Sequence, residues 1–133
     1  MTMRVLQPAG WPRPKGYANG IVAEGRQVYV AGQIGWDEQQ QFPSTLAAQV
    51  RQTLKNIVAV LREADARPEH VVRLTWYVTS RDEYHAELQQ IGAAYREIMG
   101  RHFPTMAVMQ VVALMEANAK VEIEATAVVP ASS

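Results

Sequence analysis

The sequence predicts a two-layer α+β domain, and two observations support this fold class. Two segments in the middle of the chain, at 44–66 and 80–99, repeat apolar residues at helical spacing. Short strand-like segments lie before, between and after them, in the order β-β-α-β-α-β-β. Because each helix has one apolar stripe, two such helices can cover one face of a sheet with four main strands.

The composition is that of one ordinary globular domain, 1–133, with an expected N-terminal loop at 1–16 and a core at 17–129. Thirteen basic and thirteen acidic residues cancel, so no overall field favours nucleic acid or an anionic membrane. The chain has no cysteine, which excludes disulfides and cysteine-ligated metals. No segment has the apolar length of a signal peptide or a membrane span. We expect a cytoplasmic protein without nucleic-acid or membrane partners.

The first strands follow the proline- and glycine-rich opening of the chain. Ile21–Glu24 and Gln27–Ile34 are predicted as strands. Gly25-Arg26 lies between them and predicts a short hairpin connection.

The first helix is predicted from Ser44, a plausible N-cap, to the stop at Arg67-Pro68. Gln49 and the other polar residues of this segment lie largely off its apolar stripe. The stripe consists of Leu46, Val50, Leu54, Ile57, Val58 and Leu61.

The next strand and helix are equally regular. Val71–Thr79 predicts a strand with two distinct faces, one of them Val72, Leu74, Trp76 and Val78. Ser80 and Glu83 have the spacing of a capping box, so a second helix begins there. Gly100 is its expected end.

The last two strands are predicted at Thr105–Leu114 and Lys120–Val129. Methionine and valine occupy both faces of the first of them. The sheet face away from the helices is therefore expected to be too apolar for water, which indicates an oligomer.

Familiar catalytic motifs are absent. His70, His85 and His102 have no second ligand at metal-binding spacing, so we interpret them as surface histidines and expect no metal. The glycine-containing segments lack the pattern of a phosphate-binding loop.

Two carboxylates on the last strand stand out. Glu122 and Glu124 share one face of it. They are either solvated, or paired with Lys120, Arg73 or Arg101, or functional. An apolar surrounding disfavours a charged carboxylate, and a glutamate held in this way can serve as a general acid or base.

Five matched segments in this order resemble the RidA/YjgF (Rid) family of imine and enamine deaminases. The resemblance extends from Gly16 to Val129. It rests on Tyr17, Ala31-Gly32-Gln33-Ile34-Gly35, Gln49 with Leu54-Lys55-Asn56, Phe103-Pro104-Thr105-Met106-Ala107, and Lys120-Val121-Glu122-Ile123-Glu124-Ala125.

The resemblance implies a chorismate-mutase-like fold, assembled as a homotrimer with a central barrel and clefts between subunits. In such a cleft Glu122 would activate the water that attacks an imine carbon. Tyr17 would line the cleft, and the backbone near Ala107 would contact a small-molecule ligand. No cofactor is implied.

The chain departs from the family pattern at three cleft positions. Met106 stands where the family's deaminases have a substrate-binding arginine, Ala31 replaces a serine, and Gly92 replaces an asparagine. Methionine cannot bind a carboxylate, so small amino-acid-derived imines are expected to be poor substrates. The candidate replacement anchors are Lys15, Arg73, Arg101 and Lys120.

Three functions follow as hypotheses. The first is a hydrolytic deaminase of an imine or enamine metabolite. The second is a non-catalytic ligand-binding or regulatory trimer, which the absence of the arginine favours. Ribonuclease activity, sometimes attached to this family, is disfavoured by the neutral charge and the lack of a basic aromatic groove.

Overall fold

The computed structural model describes residues 3–131. In that range the chain forms a two-stranded and a four-stranded sheet, three α-helices and a 3-10 turn at Pro68–His70. The elements are β1 (Met3–Leu6), β2 (Gly20–Ala23), β3 (Arg26–Ile34), α1 (Leu46–Arg62), β4 (Val71–Val78), α2 (Arg81–Ala86), α3 (Leu88–Met99), β5 (Thr105–Gln110) and β6 (Val121–Val129).

The main sheet confirms the predicted two-layer α+β domain. Its strand order is β3-β6-β4-β5, with β6 antiparallel to both of its neighbours and β5 parallel to β4. Helices α1 and α3 pack side by side on one face, and their apolar stripes form the core with alternate residues of the strands. Fully buried members of this core include Leu54, Ile57, Leu74, Val121 and Ile123.

The N-terminal region differs from the prediction in two ways. The expected loop at 1–16 contains β1, and β2 pairs with β1, not with β3. The predicted hairpin is therefore wrong. At Gly25, where φ is +149°, a Cβ would lie 2.1 Å from the Val129 carbonyl oxygen. The backbone at Gly25 therefore packs directly against the end of β6. Strand β2, which precedes Gly25, lies outside the main sheet.

The helix ends also differ in detail. The N-cap of α1 is Thr45, not Ser44, and its hydroxyl accepts a hydrogen bond from the Ala48 amide. Ser80 caps α2 as predicted. The second predicted helix is divided at Glu87, whose carboxylate accepts a hydrogen bond from the Ala47 amide at 2.9 Å.

Strand β5 is shorter than predicted because β4, the strand beside it, ends at Val78. Val78, the last residue of β4, pairs with Gln110, and the Val111 amide makes the final bond to the Val78 carbonyl. No main-sheet strand continues beside 111–114, and the Val112 side chain is fully exposed.

The sheet face away from the helices, which we call the open face, is less apolar than the sequence suggested. Tyr29 and Met109 are exposed on it, but charged side chains separate them. The residues of the open face include Gln27, Tyr29, Ala31, Ile34, Arg73, Thr75, Tyr77, Ala107, Met109, Glu122, Glu124, Thr126 and Val128.

Candidate functional site

The two glutamates of β6 have different surroundings on the open face. Glu124 accepts a hydrogen bond from the Tyr77 hydroxyl at 2.7 Å, and this bond raises the pKa of Tyr77. The half-buried Glu122 carboxylate has no hydrogen bond or ion pair within residues 3–131. The pair therefore divides into a structural carboxylate and one that can accept a proton or bind water.

A glycine on the neighbouring strand makes room for the Glu122 carboxylate. A Cβ on Gly32 would lie 2.1 Å from Glu122 Oε2. Gly32 falls where the β3–β6 register shifts, between Val30 and Gln33. The carboxylate therefore lies against bare backbone, in a position that any larger residue at this point would change.

Gln49 holds the beginning of β6 in place. Its side chain is buried, although the sequence placed it off the apolar stripe. Its Oε1 accepts from the Lys120 amide at 2.8 Å, and its Nε2 donates to the carbonyls of Pro43 and Asn118. This amide fixes the strand two residues before Glu122.

Lys120 is engaged elsewhere and does not serve either glutamate of β6. Its ammonium pairs with Glu83 at 3.0 Å. The hypothesis that Lys120 neutralises Glu122 or Glu124 is therefore wrong, and Lys120 is also a poor candidate for a substrate anchor.

Two grooves lie along the outer edge of β5. The segment before β2 runs beside this edge, where Ala18 bridges Thr105 and its amide donates to the Pro104 carbonyl. The edge groove, of about 650 Å³, contains Tyr17, Arg73, Met106 and Ala107.

The second groove, which we call the aromatic groove, has a volume of about 550 Å³ and lies on the helix side of the sheet. Its lining residues are Lys15, Gly16, Tyr17, Trp76, Tyr84, Leu88, Ile91, Gly92, Tyr95, Arg96, Phe103, Met106 and Val108. Tyr95 and Phe103 stack with their ring centroids 5.5 Å apart. Burial raises the pKa of both Tyr84 and Tyr95, so these phenols stay neutral.

The structure brings some of the predicted site residues together and separates others. Tyr17 and Met106 line both grooves. Lys15 and Gly92 line the aromatic groove only. Met106 is paired with Leu74, and its side chain packs against the helix-side core.

Glu122 and Ala31 lie on the opposite side of the sheet from that groove. Glu122 pairs with Tyr77 of the open face. Ala31 lines a shallow depression there with Arg73 and Glu124. Arg101 lines neither groove.

Arg96 and Trp76, which both line the aromatic groove, were not identified by the sequence analysis. Arg96 follows Gly92 by one helical turn, a spacing that was available as a signal. Trp76 was predicted only on one face of its strand; it is buried in the core and also borders the aromatic groove.

Residues 3–131 contain no group of three or more His, Cys, Asp or Glu side chains that could hold a metal ion. None of the helices described is long and apolar enough to cross a bilayer.

Comparison with known proteins agrees with this architecture, a chorismate-mutase-like α+β domain. The family model described as Endoribonuclease L-PSP matches residues 12–129. A RutC family protein of Synechocystis is 31% identical, with 98% of this chain and 99% of that protein covered. The human 2-iminobutanoate/2-iminopropanoate deaminase is 29% identical over 94% of this chain and 89% of its own length.

A solved structure is similar in fold over nearly the whole chain. The YyfB protein of Yersinia pestis, described as a conserved Rid family protein of unknown function, has a TM-score of 0.81 and 34% identity. The similarity covers 97% of this chain and all of that one. The chain belongs to the Rid/YjgF family.

Proposed function

We propose that the protein is a hydrolytic deaminase of an imine or enamine metabolite, acting as a cytoplasmic homotrimer. The observation that carries the proposal is the Glu122 carboxylate, half-buried, lying against Gly32 and unpaired within residues 3–131. Relatives named as imine deaminases support the reaction class. A carboxylate without a competing partner can bind and orient a water molecule.

The reaction needs only this base and a bound imine. Glu122 accepts a proton from water as the water oxygen bonds to the imine carbon. The proton passes to the imine nitrogen and gives a carbinolamine, which carries a hydroxyl and an amino group on one carbon. The carboxylate then transfers the hydroxyl proton to the amino group, the carbon–nitrogen bond breaks, and ammonia leaves as the carbon becomes a carbonyl. The carboxylate is regenerated, and neither an oxidant nor a metal takes part.

The cleft is proposed to be shared between subunits. Met106 and Gly92 line a groove on the helix side of the sheet, whereas Glu122 lies on the open face. Glu122 is on β6, which β4 separates from the β5 edge, and it lines neither groove, so a small ligand in the groove of one chain does not reach the Glu122 of that chain. The open face of a second copy placed beside the groove would supply the missing carboxylate, which supports the homotrimer.

The test uses an amino-acid oxidase to generate imines from a panel of amino acids. The measured quantity is the rate at which the protein converts these imines to 2-keto acids. We expect Glu122→Gln to lower kcat by roughly a hundredfold or more, the scale of general acid–base catalysis. Glu124→Gln is the matched control, because an amide oxygen can still accept from Tyr77. Equal losses in both variants would contradict the assigned role of Glu122.

A second candidate function is a ligand-binding trimer without catalysis. It is favoured by the methionine at position 106, where the family's deaminases have a substrate-binding arginine. In that case wild type would turn over no imine of the panel, yet would bind 2-keto acids in calorimetry. Turnover gained by Met106→Arg would then show a competent scaffold whose natural ligand is different. Turnover by wild type that depends on Glu122 would exclude this candidate.

A further inference from the structure

We propose that Arg96 is the substrate anchor of this chain, and that the aromatic groove binds imino acids with a large apolar side chain. The inference deepens the proposed function by naming the substrate class. The carboxylate of the substrate would lie against the Arg96 guanidinium, and its side chain would lie along the groove.

The position of Arg96 depends on the glycine one helical turn before it. A Cβ on Gly92 would lie 3.3 Å from Arg96 Nη1. The guanidinium therefore extends over the bare backbone of Gly92 into the groove that both residues line. Since side chains four residues apart are neighbours on a helix, a larger residue at Gly92 would displace it.

The positive charge of Arg96 is uncompensated. Within residues 3–131 it forms no ion pair, and its neighbour Glu97 is bound by Arg51 at 2.6 Å. The aromatic groove is lined by two cations, Arg96 and Lys15, and by no carboxylate. An arginine in this setting can bind a carboxylate through two parallel hydrogen bonds.

The rest of the groove suits an apolar body. Leu88 is 49% exposed and Phe103 is 36% exposed, with Met106 and Val108 beside them. Trp76 borders this apolar surface, and its Nε1 is the one buried side-chain nitrogen or oxygen of residues 3–131 that lacks a hydrogen-bond partner. A groove of about 550 Å³ is in the range of small-molecule sites and far exceeds what a three-carbon imino acid fills.

The experiment measures binding by calorimetry, so that it does not depend on turnover. The probes are phenylpyruvate, pyruvate, and phenylacetone, which keeps the ring and the ketone but lacks the carboxylate. We expect phenylpyruvate to bind wild type at least about tenfold more tightly than pyruvate, because its ring is buried. Arg96→Gln should weaken phenylpyruvate about tenfold or more and leave phenylacetone unchanged.

Three further variants, one of them a control, separate the possible outcomes. Arg96→Lys, which keeps the charge, should restore part of the affinity, and Gly92→Asn should weaken phenylpyruvate by displacing the guanidinium. Arg62→Gln, the same substitution on the exposed end of α1, should have no effect. Equal phenylpyruvate binding by wild type and Arg96→Gln, or equal weakening in Arg62→Gln, would overturn the inference.

The experiments can refute the role of Arg96 and the deaminase function independently of each other. Arg96-dependent binding of phenylpyruvate without any imine turnover would keep the anchor and refute the deaminase. Turnover of the phenylalanine imine that is insensitive to Arg96→Gln would keep the deaminase and refute the anchor.

Discussion

Neighbouring groups, not position on the strand, distinguish the two glutamates of β6. Glu122 and Glu124 point the same way, two residues apart, and both are half-buried. Tyr77 occupies Glu124 with a hydrogen bond. Glu122 has the backbone of Gly32 beside it instead, and this difference makes it the stronger candidate for catalysis.

Gly32→Ala should test this placement with a single methyl group. The new Cβ would lie 2.1 Å from Glu122 Oε2, and the carboxylate would have to rotate away. We expect kcat to fall roughly a hundredfold, since ångström-scale misplacement of a catalytic group has that effect. The melting temperature should change little, because the displaced atoms end a flexible side chain.

A double-mutant cycle in the same turnover assay gives the control. If Gly32 acts through Glu122, Gly32→Ala should cause no further loss in the Glu122→Gln background. A full additional loss there would show that Gly32 serves the fold and not the carboxylate.

Only part of this site could be predicted at the residue scale. Strand alternation was enough to place Glu122 and Glu124 on one face. The position of the Arg96 guanidinium could not be predicted in the same way, because it depends on the space beside Gly92, one helical turn earlier. The pairing of Lys120 with Glu83 joins residues far apart in sequence, so no local pattern indicated it.

At the scale of elements, a buried polar side chain holds the beginning of β6 in place. Gln49 of α1 bonds three main-chain groups, in the loop before α1, in the turn before β6 and at Lys120. Hydrophobic periodicity predicts only which residues are apolar and buried. It therefore placed Gln49 off the stripe, although its amide lies in the interior.

Gln49→Leu should destabilise the protein strongly. The substitution leaves the Lys120 amide and two carbonyls without their partner, and we expect a loss of about 2–4 kcal/mol in the free energy of unfolding. Urea denaturation followed by circular dichroism measures it. The same substitution at the exposed Gln89 of α3 is the matched control and should change stability by no more than about 0.5 kcal/mol. Similar values for both variants would show that the buried amide contributes little.

The strand and helix pattern was predictable where local signals and tertiary pairing agree. Residue alternation located β3, β4 and β6 to within a residue or two. It failed for β1, whose pairing with β2 joins the chain start to a segment beyond a proline-rich loop. It also failed at Glu87, where the backbone leaves the helical conformation, with φ −105° and ψ 16°, between α2 and α3.

At the scale of the whole molecule, the two halves of the proposed cleft lie on opposite faces of one sheet. The aromatic groove is on the helix side, and Glu122 is on the open face. The open face also exposes Tyr29 and Met109, apolar surface that an oligomer would cover. Light scattering should therefore give three chain masses in solution, and a monomer would contradict the shared cleft.

Mixing two inactive variants should restore activity if the cleft is shared. Glu122→Gln removes the proposed base, and Arg96→Glu places a carboxylate in the groove, where it repels an anionic substrate whichever residue is the anchor. In randomly mixed trimers, roughly a quarter of the clefts would combine an intact groove from one copy with an intact Glu122 from its neighbour. The measurement is imine turnover after the two proteins are unfolded together and refolded. Activity confined to unmixed wild type would mean that groove and carboxylate do not serve one ligand.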